Sequence, residues 1–265
     1  MPFLTPESVV LVTASSAGLG AATARAFAAK GVNVVVNYLN SRDKADSLVQ
    51  ELSSLDPRPR NDPQSAESTA LATPRFIAIQ ADLSKKSEIS RLVAETLSQM
   101  GRLDAVVSNQ GWTRMRDFFN LDENVDESDW DKCFNVNVKS HLFLFHAARE
   151  HLDKVRGAFV SVASLAGVKP SGSSVAYSVT KAAQIHLIKS LALTCGPIRV
   201  NSVSPGILLT EWGAQFPPER LNAATEKSPL KNLAAVEDVA QQILCLVDCT
   251  SMTGMNAVID AGLSI

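Results

Sequence analysis

Ser8-Val9-Val10-Leu11-Val12-Thr13-Ala14-Ser15-Ser16-Ala17-Gly18-Leu19-Gly20, followed by the alanine-rich run from Ala21 to Lys30, decides the fold of this chain. Residues 8–13 read as a buried strand, a short apolar run rich in β-branched side chains. The small residues 14–20 form a loop, and residues 21–30 have strong helix propensity. A strand feeding a small-residue turn and then a helix leaves unpaired N–H groups at the positive end of the helix dipole. Glycine there lets a pyrophosphate approach the backbone closely. A tight structural turn would use the same residues, but the position between first strand and first helix is the context the phosphate reading requires. Further strand-like stretches at 32–37, 75–80, 103–108, 158–163, 199–203 and 256–259 alternate with amphipathic segments. Strands separated by helices imply right-handed crossovers, hence an α/β fold with a doubly wound parallel sheet. Ligands of such sheets bind beyond the carboxyl ends of the strands, beside the switch in strand order. Thr13, Asn37, Asp82, Asn109, Ser164 and Pro205 all fall at or just past such ends, which groups them in one site.

A second stretch, Ala176-Tyr177-Ser178-Val179-Thr180-Lys181, supplies candidate chemistry. Tyrosine and lysine at i and i+4 share a helix face. A phenol with a pKa near ~10 is a poor acid–base group at neutral pH, and a neighbouring ammonium lowers that pKa. Such a phenol can exchange protons with an alcohol or carbonyl. Alone, the pair also suits an exposed helix face. Ser164 lies thirteen positions upstream of the tyrosine, just past a strand-like segment.

Composition narrows the function classes. The 265 residues are 46% hydrophobic with a formal charge of −2, enough chain for a large core in one domain. Near neutrality and the lack of a basic block argue against a nucleic-acid partner. No apolar run approaches the ~18 residues of a membrane span, and no secretory signal opens the sequence, so a cytoplasmic location is expected. Cys133, Cys195, Cys245 and Cys249 lack zinc-finger spacing. His141, His146 and His151 recur every fifth residue and do not line one helix face, so no metal site is expected. There is no GxSxG elbow to make Ser164 a hydrolase nucleophile. Residues 53–74 carry Pro57, Pro59, Pro63 and Pro74, which exclude a continuous helix and suggest a flexible surface insertion.

Taken together, these residues resemble the short-chain dehydrogenase/reductase family over essentially the whole chain. The family's TGxxxGxG motif is matched by Thr13 to Gly20, its NNAG motif by Ser108-Asn109-Gln110-Gly111, and its PGxxxT loop by Pro205-Gly206-Ile207-Leu208-Leu209-Thr210. Its catalytic asparagine, serine, tyrosine and lysine fall on Asn137, Ser164, Tyr177 and Lys181. Ala14 departs from the motif glycine, so the turn must avoid positive φ there or tolerate strain. Ser108 and Gln110 are the other departures. The resemblance implies a single Rossmann-fold domain over 1–265, a homotetramer, and hydride transfer between a nicotinamide and a carbonyl or secondary alcohol. It assigns the proton exchange to Tyr177 and the lowering of the tyrosine pKa and hold on the nicotinamide ribose to Lys181. Ser164 would bond the substrate oxygen, and Asn137 would support a proton-relaying water.

Cofactor contacts expected on the same basis are Thr13, Ser15, Ser16, Gly18, Leu19, Gly20, Asp82, Leu83, Asn109, Gly111, Pro205, Gly206, Ile207 and Thr210. Strand two ends in Asn37, where NAD-preferring relatives carry an acid, and no acid follows until Asp43. Asn37, Tyr38, Asn40 and Ser41 could bond a 2′-phosphate with Arg42 nearby, which favours NADP(H) over NAD. In this stretch and in its SNxG motif the chain is similar to NADPH-dependent fungal naphthol reductases. Against NADP, Ala17 stands where its users often have arginine. The substrate wall is expected from Trp112, Leu165, Gly167, Val168 and a lid over 208–232 containing Trp212 and Phe216, which suits a bulky, hydrophobic ketone. Trp112 and Trp212 could equally be packing or subunit-contact residues. Rival readings are an isomerase or cyclisation enzyme holding NADP(H), and a non-catalytic NADP-binding protein.

Overall fold

Alternation along β1 (Val9–Val12) builds both faces of the sheet at once: Val10 and Val12 enter one hydrophobic cluster, Val9 and Leu11 the other. The computed structural model describes residues 3–57 and 74–265. Its strands after β1 are β2 (Asn33–Tyr38), β3 (Phe76–Gln80), β4 (Ala105–Ser108), β5 (Ala158–Val162), β6 (Arg199–Pro205) and β7 (Asn256–Ile259). All pair in parallel, in the order β3-β2-β1-β4-β5-β6-β7. The central strands are buried on both faces, which is why they read as continuous apolar runs rather than alternating ones.

One face is covered by α1 (Gly18–Ala29), α2 (Arg42–Leu55) and α8 (Val236–Asp248), with Phe27, Leu52 and Ile243 at the centre of that cluster. The other is covered by α3 (Lys86–Met100), α5 (Ser140–Val155) and α6 (Val175–Thr194), with Leu92, Phe145 and Ile188. Short α4 (Glu127–Phe134) precedes α5, and α7 (Pro218–Lys227) lies in the segment after β6. The sequence expectation of a doubly wound sheet holds. The expected insertion at 53–74 falls outside the described residues except at its ends, where α2 runs on to Leu55. Among the described residues no helix is long and apolar enough to cross a membrane. The order of strands reverses between β1 and β4, and the crevice above their carboxyl ends receives the site.

Candidate active site

The loop from β1 into α1 is held by its own buried polar groups. Thr13, Ser15 and Asn37, all expected to touch a cofactor, turn inward instead. The Thr13 hydroxyl donates to Gln110 at 2.6 Å and accepts from the Asn109 N–H at 2.8 Å. Ser15 donates to the Val12 carbonyl. The Asn37 side-chain oxygen Oδ1 accepts from the Ala14 N–H at 3.0 Å, and its side-chain amide Nδ2 donates to the carbonyls of Tyr38, Ile79 and Ala81. Buried polar groups must be satisfied, and these side chains satisfy the turn. Tyr38 is also buried, whereas Asn40 and Ser41 are exposed at the entry to α2. Asp82 likewise turns to the chain, accepting from the N–H and hydroxyl of Ser84, which holds its carboxyl below the usual range. Leu83 is buried beside it.

Ala14 takes the strained alternative, with φ +47°. Gly20 admits no side chain, because a Cβ would stand 2.6 Å from the Ala14 carbonyl oxygen and 2.7 Å from the Asn109 amide. Ala17 caps α1 without a side-chain bond, and no acid occupies the first turn. The helix therefore presents free N–H groups and an unopposed positive dipole to the cavity. Thr210 from the loop after β6 packs 3.5 Å from the place a Gly18 Cβ would occupy, closing this end.

At the other end stand the acid–base candidates. Ser164 follows β5 in extended backbone and caps a short helical turn by accepting from the Ala166 N–H. Ser174 caps α6 by accepting from the Tyr177 N–H, which fixes where the helix starts and hence the face carrying Tyr177 and Lys181. Lys181 donates to the Val162 carbonyl at 2.9 Å and lies over the Tyr177 ring, 5.6 Å from its centroid. Burial pushes the Tyr177 phenol up to about 12, with the Ser164 hydroxyl pulling it the other way. Burial also lowers Lys181 to about 7. The Lys181 ammonium lies over the ring, and burial is the largest influence on the phenol, ahead of the Ser164 hydroxyl.

Asn137 lies in a π-helical turn, Asn135–Lys139, between α4 and α5, a distortion that often marks functional positions. Its side chain accepts from the Trp112 N–H at 2.8 Å and donates to the Trp112 carbonyl and the Thr180 hydroxyl. A Cβ at Gly111 would sit 3.6 Å from the Lys181 ammonium and 3.7 Å from the Asn137 oxygen, so only that glycine separates them.

Sequence reasoning missed a buried polar chain joining the two ends. Gln110 accepts from Thr13 and from Ser108, and Ser108 bonds His141 at 2.7 Å. His141 bonds Ser161 at 3.0 Å, Gln184 donates to Ser161 at 2.6 Å, and Gln184 shares the Val162 carbonyl with Lys181. Burial holds His141 well below its ordinary pKa, as the neutral imidazole. The signal that could have found it was the pairing of the two motif departures, Ser108 and Gln110, with a histidine inside an apolar helix.

One cavity of about 680 Å³ contains both ends. Gly18, Leu19, Asn109, Gly111 and the loop Pro205, Gly206, Ile207 and Thr210 line it, as do Ser164, Tyr177 and Lys181. Ser16 is half-buried beside the glycine turn, outside the lining. Of the substrate wall, Leu165, Trp212 and Phe216 line the cavity, and the Trp212 ring centroid lies 6.3 Å from that of Tyr177. Trp112 does not: its ring packs against the Lys132 ammonium at 4.6 Å and Arg114 at 6.0 Å. Gly167 packs against the Lys181 backbone, and Val168 is exposed, so neither forms the wall. Among the described residues no cluster of ligands could hold a metal.

A doubly wound sheet with a glycine turn, a Ser–Tyr–Lys group and one cavity joining them defines a nucleotide-binding enzyme architecture, and comparison with known proteins supplies its family. The profile described as enoyl-(acyl carrier protein) reductase matches residues 13–264. The chain is 34% identical over 262 residues to a Streptomyces violaceoruber protein assigned as ketoacyl reductase 2 of the granaticin polyketide synthase, covering 97% of this chain and 96% of that one. It is 31% identical over 260 residues to a short-chain dehydrogenase/reductase of Pestalotiopsis microspora, covering 93% and 90%. A short-chain dehydrogenase from Burkholderia cenocepacia, solved in complex with NADP, superposes with TM-score 0.83 at 28% identity over 98% of both chains. The chain belongs to the short-chain dehydrogenase/reductase family.

Proposed function

We propose that this chain is an NADP(H)-dependent reductase of a bulky, largely hydrophobic ketone, with Tyr177 as the proton donor. The observation that carries the reading is the shared cavity, with an uncapped helix N-terminus at one end and Tyr177 beside Ser164 at the other. The small residues Ala14, Ala17 and Gly18 leave backbone accessible there, so these residues fit a dinucleotide pyrophosphate. When bound, the nicotinamide supplies the hydride. Ser164 donates a hydrogen bond to the substrate oxygen, and Tyr177 delivers the proton to that oxygen as charge develops on it. A phenol raised to about 12 is fully protonated at neutral pH, which suits reduction. Lys181, anchored by Val162, would hold the ribose, and Asn137 orders the loop that carries Gly111.

NADP(H) is favoured over NAD because the carboxyl end of β2 carries the amide Asn37 rather than an acid, with Asn40, Ser41 and Arg42 exposed beyond the strand. Arg42 makes an exposed contact to Asp46 at 3.4 Å, readily exchanged for a phosphate. The B. cenocepacia relative was solved with NADP, while other solved neighbours hold NADH, so the preference rests on this chain's own residues. The test follows NADPH absorbance with a panel of aryl and cyclic ketones. Net oxidation separates a reductase from an isomerase, a cyclisation enzyme or a binding protein. Tyr177→Phe should cut kcat by roughly a thousandfold, the scale of lost acid catalysis, while leaving NADPH affinity within a few-fold. Turnover near the parent's would remove Tyr177 from its role.

A further inference from the structure

The cavity wall has a charge that the reduction of a neutral ketone does not use. Arg220 projects from α7 into the same cavity as Tyr177. Its guanidinium stacks on Phe216, 4.6 Å from the ring centroid, and donates one bond of 2.7 Å to the Gly172 carbonyl. Gly172 in turn lies against the catalytic ring: a Cβ there would be 3.3 Å from a Tyr177 ring carbon. Arg220 is thus one residue removed from the tyrosine.

Among the described residues no carboxylate pairs with Arg220. Of the other cations of the cavity wall, Lys169 bonds the Leu263 carbonyl rather than an acid, Lys181 bonds the Val162 carbonyl, and Lys227 is exposed. The acid of the wall, Glu211, is taken by Lys44 at 2.6 Å. A half-buried guanidinium keeps several donors in a fixed fork that matches a carboxylate in two parallel bonds. Holding it on an aromatic ring in a largely apolar cavity has a desolvation cost, visible as a lowered pKa. An anion entering the cavity would offset that cost.

We propose that Arg220 reads a negative charge on the substrate, and that the ketone reduced here carries a carboxylate on the portion remote from its carbonyl. This rests on the reductase reading above and names the substrate class of that site. Phe216 would then cover the apolar body of the molecule while Arg220 holds its end.

The probes are 4-benzoylbenzoate and 4-benzoylbenzamide, equal in shape and in ketone but differing in charge. Calorimetry with NADP present measures their affinities without turnover. The parent protein should bind the acid at least ten-fold more tightly than the amide. Arg220→Gln and Arg220→Ala should bring that preference to within two-fold and leave amide affinity unchanged, which also reports an intact cavity. Equal affinities in the parent, a preference that survives in Arg220→Gln, or a parallel fall for both ligands would overturn the proposal. NADPH oxidation with the same pair, followed separately, judges the reductase reading: acid-selective binding without oxidation by any ketone would sink that reading and not the role of Arg220.

Discussion

Ala14 holds a left-handed backbone at φ +47°, a conformation costing an L-residue roughly 1–2 kcal/mol. Glycine would remove that strain but would add about 0.4–1 kcal/mol of unfolded-state freedom. Ala14→Gly should therefore stabilise the protein by about 0.5–1 kcal/mol in urea unfolding; a loss of stability would show that the methyl contributes packing. Lys181 gives a second residue-scale expectation. Its folded pKa, about 7, lies below the unfolded value, so the unfolded chain binds more protons between about pH 7 and pH 10. Stability relative to a Lys181→Met variant should rise with pH through that window. A flat difference from pH 7 to 9 would mean the ammonium stays charged when folded. These single residues were partly legible: the motif departure at Ala14 raised the question of strain that the backbone answers. The inward turn of Asn37 was not legible, because position at a strand end fixes where a residue sits but not what its amide finds there.

Elements succeed where their signal is a local apolar run bounded by turn residues. The runs Val9–Val12 and Ala158–Val162 are buried on both faces and gave strands at the expected places. Loops were read less well, since Trp112 follows β4 and Leu165 follows β5 but only Leu165 reaches the cavity. The decisive fact for Trp112 is a cation-π contact with Lys132, twenty residues away on α4, which no local pattern reveals. His141 shows the same limit. It lies on α5 between serines of β4 and β5 and a glutamine of α6, three elements whose adjacency belongs to the folded chain. His141→Leu keeps the volume but removes one buried partner each from Ser108 and Ser161, which are left with Gln110 and Gln184. It should cost about 1–3 kcal/mol by thermal or urea unfolding. A change below half a kcal/mol would mean the remaining partners satisfy those hydroxyls.

For the whole molecule, the proposed cofactor couples the halves of the sheet, because its cavity is walled by loops from β1, β4, β5 and β6. A ligand bound only by the folded state at about a hundred times its Kd adds ~2.7 kcal/mol. At ~2–4 °C per kcal/mol for a domain of this size, NADP should raise Tm by roughly 5–10 °C. NAD at equal concentration should raise it less, and the reverse order would overturn the cofactor preference. The doubly wound parallel sheet needed no knowledge of contacts once the alternation of elements was read, whereas its strand order and the chemistry inside the cavity did. Arg220 sits in a short polar helix that nothing in the sequence distinguishes from a solvated surface. The run of hydrogen bonds from Thr13 through Gln110, Ser108 and His141 to Ser161 and Gln184 has a practical corollary for engineering. A glycine turn transplanted into this chain would be seated against Gln110 and, behind it, Ser108 and His141. A graft meant to switch nucleotide preference should therefore carry positions 108, 110 and 141 as one cassette.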